Sequence, residues 1–341
     1  MKITAKQIAE QAGVSQATVS LVMHGKPGVS DEVRRHILEI ARAAGYRAAV
    51  PQAVATGKIL QLIIYKRHGR VIADEPFFNV LIEEIMAQAS SMGYHLSVGY
   101  FYGSQPAKEQ IHSIQSLKCA GVILLATEMH TADMAPFAEL SCPVVVLDNF
   151  FPALQYDCVT INNLNGAWRA VKHLIDCGHT RIGYLHSKVD IRNFRERNCG
   201  YLSACRLLEA EAARDAARRI LRVGPSAEEA AEDMEAYLAT EPLLPTAFFA
   251  DNDRIAAGCC KALQKNGVLI PQEVSVIGFD DSSICEFMSP ALTTMRVQKQ
   301  RMGVLAVERL HARLCGNPPE SVRIMLMPEV TVRQSVLDRT R

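Results

Sequence analysis

Ser15, Gln16, Thr18 and Ser20 fall on one polar face of a short helical stretch and offer hydroxyl and amide groups without charge. Groups of this kind meet phosphate oxygens and base edges in a DNA major groove. The segment around them is basic. Residues 1–58 hold eight Lys or Arg against four Asp or Glu, a charge of +4. The full 341 residues hold 37 basic and 36 acidic side chains, so the remainder is −3. A compact basic module on an acidic body fits polyanion binding, and charge alone leaves a solvated basic surface as the other reading. Catalytic chemistry has no comparable support. No GxGxxG follows the first strand candidate, and GxxxxGK(S/T), HExxH and GxSxG are missing. His173 and His179 flank a helix end at Gly178 and read as solvated or capping groups. The ten cysteines form no CxxC pair and read as reduced, mostly buried thiols, with Cys259-Cys260 as two small apolar positions on a helix. Neither a cofactor nor a metal is expected.

These groups need elements to hold them. Thr4 suits an N-cap for a first short helix carrying Ile8, Ala9 and Ala12, and Gly13 interrupts it. Ser15 can cap a second helix through Val19 and Val22. A third fits Asp31 to Ala44, with Ser30 as N-cap and Gly45 at its end. Two short helices joined at a glycine, with small Ala9 and apolar Val19 at the packing positions, form a helix-turn-helix.

From Ile59 onward the chain alternates strand-like apolar runs with helical periods. Strand candidates are Leu60–Ile64, Leu96–Tyr100, Val122–Leu125, Val144–Leu147, Ile182–Leu185, Ala247–Ala250 and Val274–Phe279. Amphipathic stretches lie between them, and this order predicts a doubly wound α/β architecture with parallel sheets. Some 280 residues exceed one compact sheet, so two lobes are expected, with a ligand site at the carboxyl ends of the strands between them. Hydrophobic residues make up 49% of the chain, enough for a large core, and no apolar run approaches the ~18 residues of a membrane span. Without a signal-peptide core at Met1 to Lys6, a cytoplasmic location is expected, with no membrane partner.

The run Ile8-Ala9-Glu10-Gln11-Ala12-Gly13-Val14-Ser15-Gln16-Ala17-Thr18-Val19-Ser20 resembles the N-terminal signature of the lactose-repressor/galactose-repressor family of bacterial regulators. Gly28-Val29-Ser30 and Gly45-Tyr46 follow at that family's spacing. Cys177-Gly178-His179-Thr180-Arg181-Ile182-Gly183, Ala250-Asp251-Asn252-Asp253, Ile277-Gly278-Phe279-Asp280-Asp281 and Leu292-Thr293-Thr294 extend the likeness along nearly the whole chain. The resemblance implies a small all-α helix-turn-helix domain (1–46), a hinge (47–58) and a two-lobed body of the periplasmic-binding-protein type (59–341). Its first lobe would hold 59–161 with 293–322, and its second 162–292 with 323–341. The implied function is sequence-specific regulation of transcription, as a repressor, from double-stranded operator DNA. A sugar-like effector between the lobes would control it. An enzyme on a doubly wound fold is the competing class.

Residue roles carry over by position. Gln16 and Ala17 take the base-reading places, while Thr4, Ser15, Thr18, Ser20 and His24 lie against phosphates or groove edges. Leu21 stands where relatives often have an Arg that reads guanine; it can touch a thymine methyl or pack on the third helix. In the effector site the likeness points to Phe78, Asn193, Arg197, Asn252 and Asp280. Phe78 also suits a core position, Arg197 a surface one, and strand-end Asn252 and Asp280 can cap the following turns. A carboxylate that accepts from two hydroxyls beside a forked guanidinium suits a polyol. Val297 replaces a Gln that some relatives place there, and Trp168 reads as core.

The hinge departs from the pattern. Ala48 and Ala49 replace the usual Pro-Asn, and Ala55 stands where relatives carry a leucine that wedges into the minor groove. A methyl group is a poor wedge. Weak operator bending is therefore expected, unless the short helix shifts so that Val54 takes the place. The chain ends at Arg341 without a leucine-heptad tail, and a C2 homodimer is expected on a two-fold operator.

Overall fold

The computed structural model describes residues 5–23, 29–30, 33, 35–37, 40, 58–72, 76–316 and 320–340. Two units make up the chain, a small one, Met1–Lys58 with Ser90–His95, and a large one, Ile59–Ala89 with Leu96–Arg341.

In the small unit, α1 (Ala5–Ala12) and α2 (Gln16–Met23) are joined at Gly13, whose φ of +66° only glycine adopts cheaply. Val14 N–H reaches back to the Ala9 carbonyl at 3.0 Å and Gly13 N–H to that of Glu10 at 3.4 Å, closing α1 in a Schellman turn. Ile8, Ala9, Val19, Val22 and Ile37 are buried together, flanked by Ala12, Val14, Val29, Val33 and Ile40. Residues 33, 35–37 and 40 are helical, which accords with the expected third helix; its other positions, and 47–57 of the hinge, lie outside the described residues.

The large unit contains two six-stranded sheets. The first orders β11 (Arg323–Leu326), β5 (Asp157–Ile161), β4 (Val144–Leu147), β3 (Gly121–Leu125), β1 (Ile59–Lys66) and β2 (His95–Tyr102). The second orders β12 (Glu329–Thr331), β10 (Thr293–Arg296), β9 (Ser275–Asp280), β8 (Ala247–Ala250), β6 (Ile182–Ser187) and β7 (Ile220–Val223). Every recorded pairing is parallel except β10 with β12. Strands β3, β5, β6, β8 and β9 are buried along their whole length, as helix-covered parallel strands must be.

The expected lobe boundaries are corrected at two places. Thr293 and Thr294 do not begin the return to the first lobe. β10 pairs with β9, and its buried hydroxyls are satisfied inside the second lobe, Thr294 donating to Asp253 and Thr293 accepting from Arg333 N–H. The return comes with the helix Lys299–Gly316, which packs on β3, β4 and β5. The second correction is β11, which pairs with β5 in the first sheet, so only β12 and the residues after it belong to the second. The chain thus passes between lobes after β5, after β10 and after β11.

Cys259 and Cys260 are buried in the second lobe's core, as their helical reading anticipates. His179 is not solvated: it is buried between the Thr246 hydroxyl and the Leu337 carbonyl, each 3.1 Å away.

Candidate functional site

Parallel strands end on one side of each sheet, and those ends build a cleft of about 350 Å³ between the lobes. From the first lobe come Val71 after β1, Phe77 and Phe78 in the first turn of the helix Pro76–Ser91, Thr127 after β3, Asp148 after β4, and Ile161 ending β5. From the second come Ile191, Asn193, Phe194 and Arg197 around the start of the helix Arg192–Cys205, Asn252 after β8, and Asp280 ending β9.

All five residues singled out from the sequence, Phe78, Asn193, Arg197, Asn252 and Asp280, are therefore brought to one cleft. Thr127 and Asp148 were not singled out. Each directly follows an apolar strand run, the same signal that marks Asn252 and Asp280. Val297 is buried outside the cleft lining, and Trp168 is half-buried and likewise outside it.

Arg197 is the best-anchored group. It is 3% exposed; its Nε donates to Asn163 Oδ1 at 2.9 Å, one terminal nitrogen to the Asp251 carbonyl, and the other to Asp280 Oδ1 at 3.4 Å. Its guanidinium carbon lies 3.7 Å from the centroid of the Phe279 ring, so the plane is fixed by stacking as well. These contacts occupy three of the five N–H groups of a guanidinium. The tripeptide Asp251-Asn252-Asp253 divides its labour. The carboxylates of Asp251 and Asp253 are buried in the second lobe: Asp251 accepts from His186 Nδ1 at 2.7 Å and Ser187 N–H at 2.7 Å, and Asp253 from Ser282 N–H at 2.8 Å. Asn252 lines the cleft, and its Oδ1 caps the next helix by accepting from Ile255 N–H at 2.9 Å. Its amide N–H pair is left for another partner.

Asp148 sits opposite. Its φ is +62°, and it accepts from the Thr127 hydroxyl at 2.7 Å in its own lobe and from Asn193 Nδ2 at 3.0 Å in the other. Burial pushes its carboxyl up to about 6, with Thr127, Arg197 and Asn193 pulling the other way. Other contacts cross between the lobes as well: Arg70 pairs with Glu229 at 2.5 Å, and Val71 packs on Val189, Ile191 and Phe194. Buried Glu128 holds the loop that carries Arg70 and Val71. It accepts from the backbone N–H groups of Arg67, His68, Gly69 and Val71 at 3.0, 3.1, 2.8 and 2.9 Å.

In the small unit Ser15 is exposed and its Oγ accepts from Thr18 N–H at 3.1 Å, the N-cap bond the sequence implied; the two hydroxyls are 2.8 Å apart. Gln16 is exposed at the start of α2. Ala17, Ser20 and Leu21 lie on α2, and Thr4 and His24 lie outside the described residues.

A helix-turn-helix unit followed by a two-lobed body with a ligand-type cleft defines the class of DNA-binding transcription regulators with a periplasmic-binding-protein-like body. Residues 4–48 match the model of the bacterial regulatory proteins of the lacI family, and residues 171–336 that of the periplasmic binding protein-like domain. The chain is 32% identical over 336 residues to the HTH-type transcriptional regulator GalR of Salmonella typhimurium (strain SL1344), covering 98% of this chain and 96% of that one. It belongs to the LacI family of bacterial regulatory proteins, whose relatives here are regulators and not enzymes. The fold is also that of the CelR–cellobiose complex (TM-score 0.72, 24% identity, 98% and 99% of the two chains). It is likewise that of the lac repressor dimer bound to operator and the anti-inducer ONPF (TM-score 0.70, 20% identity, 99% and 100%). Among the described residues no helix is long and apolar enough to cross a membrane.

Proposed function

We propose that this regulator is a cytoplasmic homodimeric repressor whose hold on a roughly palindromic operator is set by a sugar or sugar derivative in the cleft between its lobes. The observation that carries the ligand class is the donor set. Asp148, Asp280 and Asn252 ring the cleft with Arg197 and Asn193, while Phe77, Phe78 and Phe194 supply apolar walls. Carboxylates accept from vicinal hydroxyls, guanidinium and amide N–H groups donate to ring and hydroxyl oxygens, and aromatic faces cover the C–H faces of a sugar. The CelR neighbour, with its bound cellobiose, supports the same chemical class.

On the DNA side, Gln16 and Ala17 would read bases, with Thr4, Ser15, Thr18, Ser20 and His24 on phosphates or groove edges and Leu21 on a thymine methyl. A dimer would present two such units to two half-sites. The lac repressor dimer on its operator supports that arrangement.

A thermal-shift screen over monosaccharides, disaccharides, sugar acids and nucleobases tests the ligand class, with a sugar or sugar derivative expected to raise the melting temperature. Phe78→Ala should abolish that shift and leave operator binding of the ligand-free protein within about twofold. A shift given by a nucleobase alone would overturn the sugar reading. Selection from a random duplex library should enrich a palindrome whose sequence changes on exchanging Gln16 and Ala17; no enrichment would overturn the DNA reading.

A further inference from the structure

Outside the cleft, one pair of reactive groups stands apart from everything the regulator reading uses. Cys119 precedes β3 and Cys142 precedes β4. These strands are parallel neighbours in which Val122 is the register partner of Val144. The loops before them are held in place: Ala120 N–H donates to the Ile59 carbonyl at 2.7 Å and Val122 N–H to the Pro143 carbonyl at 2.9 Å. Gln115 Nε2 ties the helix before Cys119 to the Glu139 carbonyl before Cys142 at 3.1 Å. Strand spacing then places the two Cα atoms about 5–6 Å apart, inside the range a disulfide spans. Both side chains pack on the same buried cluster of the first lobe. Both residues are half-buried, and Cys142 lines an open groove with Pro143, Tyr156, Arg313 and Leu314. Of the other thiols, Cys158, Cys205, Cys259, Cys260 and Cys285 are buried, Cys199 and Cys315 are exposed, and half-buried Cys177 lies beside His173 rather than a second cysteine.

We infer that Cys119 and Cys142 are a thiol–disulfide switch in the first lobe, closed by a low-molecular-weight disulfide such as oxidised glutathione. Interaction between the two thiols makes the two ends unequal. It lowers the Cys119 thiol and raises that of Cys142, so Cys119 supplies the thiolate and Cys142 keeps the proton. The Cys119 thiolate attacks one sulfur of the small disulfide, forming a mixed disulfide and releasing one small thiolate. The Cys142 sulfur then attacks the Cys119 sulfur. Its proton and the first step's departing charge leave with two molecules of small thiol, so two protein thiols are oxidised and one small disulfide is reduced. The bond closes the loop between the two strand starts, which restricts the unfolded chain and stabilises the first lobe.

The test uses the full chain with Cys199→Ser and Cys315→Ser, which removes the exposed thiols. It is equilibrated across a series of reduced-to-oxidised glutathione ratios, alkylated, weighed intact and mapped by peptide. The expected result is the joint loss of two alkylatable thiols, a Cys119–Cys142 linked peptide, and a melting temperature raised by a few degrees, reversed by dithiothreitol. Adding Cys142→Ala should leave Cys119 as a stable glutathione adduct with no rise in melting temperature. Adding Cys119→Ser should give neither linkage nor adduct at Cys142. Full alkylation of both residues at every ratio, or linkage of either to a different cysteine, would overturn the inference.

Discussion

Asp148→Asn isolates the cost of keeping a carboxylate in the cleft. The wild-type carboxyl is fully buried, and its acidity in the folded protein is pushed up to about 6 from an ordinary 3.8. This is the reverse of the usual Asp case. The native state holds the proton more tightly than the unfolded chain, so stability falls as pH rises from about 4 to about 6, and the penalty is complete above that. A shift of about 2 units corresponds to about 3 kcal/mol at pH 8 but only about 1 kcal/mol at pH 4.5, which is less than one unit above the ordinary value, while the folded carboxyl is still protonated. Asparagine copies the protonated form. Its carbonyl oxygen can accept from Asn193, and its amide can donate to a Thr127 hydroxyl turned to accept, so both hydrogen bonds survive. Asp148→Asn should therefore stabilise the ligand-free protein by about 3 kcal/mol at pH 8 and about 1 kcal/mol at pH 4.5, read as a gap in denaturation midpoint that widens with pH. Taking the difference between variant and wild type cancels other titrating groups, including His179, whose acidity is pushed down to about 4 by burial. An equal gap at both pH values would refute the reasoning, because it would mean that Asp148 titrates alike in the folded and unfolded states.

Three further outcomes rest on particular contacts. Gly258→Ala would drive a Cβ into the Ala227 carbonyl oxygen, far inside van der Waals contact, so the usual gain from alanine in a helix becomes a loss of about 3 kcal/mol, while Gly316→Ala, with nothing within 4 Å, should be near neutral; denaturant melts of both variants decide. Asp157 is 1% exposed and accepts from Arg309, Arg313 and Val322 N–H; burial alone would raise its pKa, but these bonds outweigh it and hold the carboxyl below its ordinary value. Its stabilising contribution is present above the unfolded value and lost as pH falls, so Asp157→Asn should cost about 3 kcal/mol at pH 7 and less in acid, and a cost independent of pH would count against the ion pair. For the hinge, a circular-permutation gel assay should show less operator bending by the wild type than by Ala55→Leu; a sharp wild-type bend removed by Val54→Ala would favour the shifted helix instead.

How much of this was legible in the sequence depended on how strongly each element advertised its burial. The central strands did so as continuous apolar runs, and all seven candidates lie in or overlap observed strands. β5 was missed because Asp157 and Thr160 interrupt its pattern, yet both are buried, Asp157 within its arginine pair. β7 and β11 are short and sit at sheet edges, where half-exposed positions blur the period, whereas the strand-like run Val330–Val332 does overlap β12. Thr293-Thr294 was assigned to the return into the first lobe by resemblance, and the partners that instead hold it in the second lobe, Asp253 and Arg333, are some 40 residues away in the sequence. The second lobe's half of the cleft was legible from Asn193 to Asp280 because those residues sit in recognisable motifs. The first lobe's Asp148 and Thr127 carry only the strand-end signal, and their pairing with each other and with Asn193 exists only in three dimensions.

On the proposed function, the three crossings would let a ligand in this cleft govern the body as a whole. Ile161, which lines the cleft, ends the strand from which the chain first crosses. At the second crossing Lys299, 8% exposed, donates to the carbonyls of Asp280 and Asp281 at 2.9 and 2.7 Å, so the helix that returns to the first lobe starts from the second lobe's cleft wall. A ligand bonded to Asp148 on one side and Arg197 on the other would thus pull on groups that are already continuous with the connecting segments. Tight binding alone would not move the lobes; what moves them is a contact made in one relative position and not in the other. Asn193 holds the decisive place for such a difference. Its amide now serves Asp148 across the cleft, and a hydroxyl inserted between them would exchange a direct bond of 3.0 Å for two longer-reaching ones, resetting the separation at which the lobes are most stable.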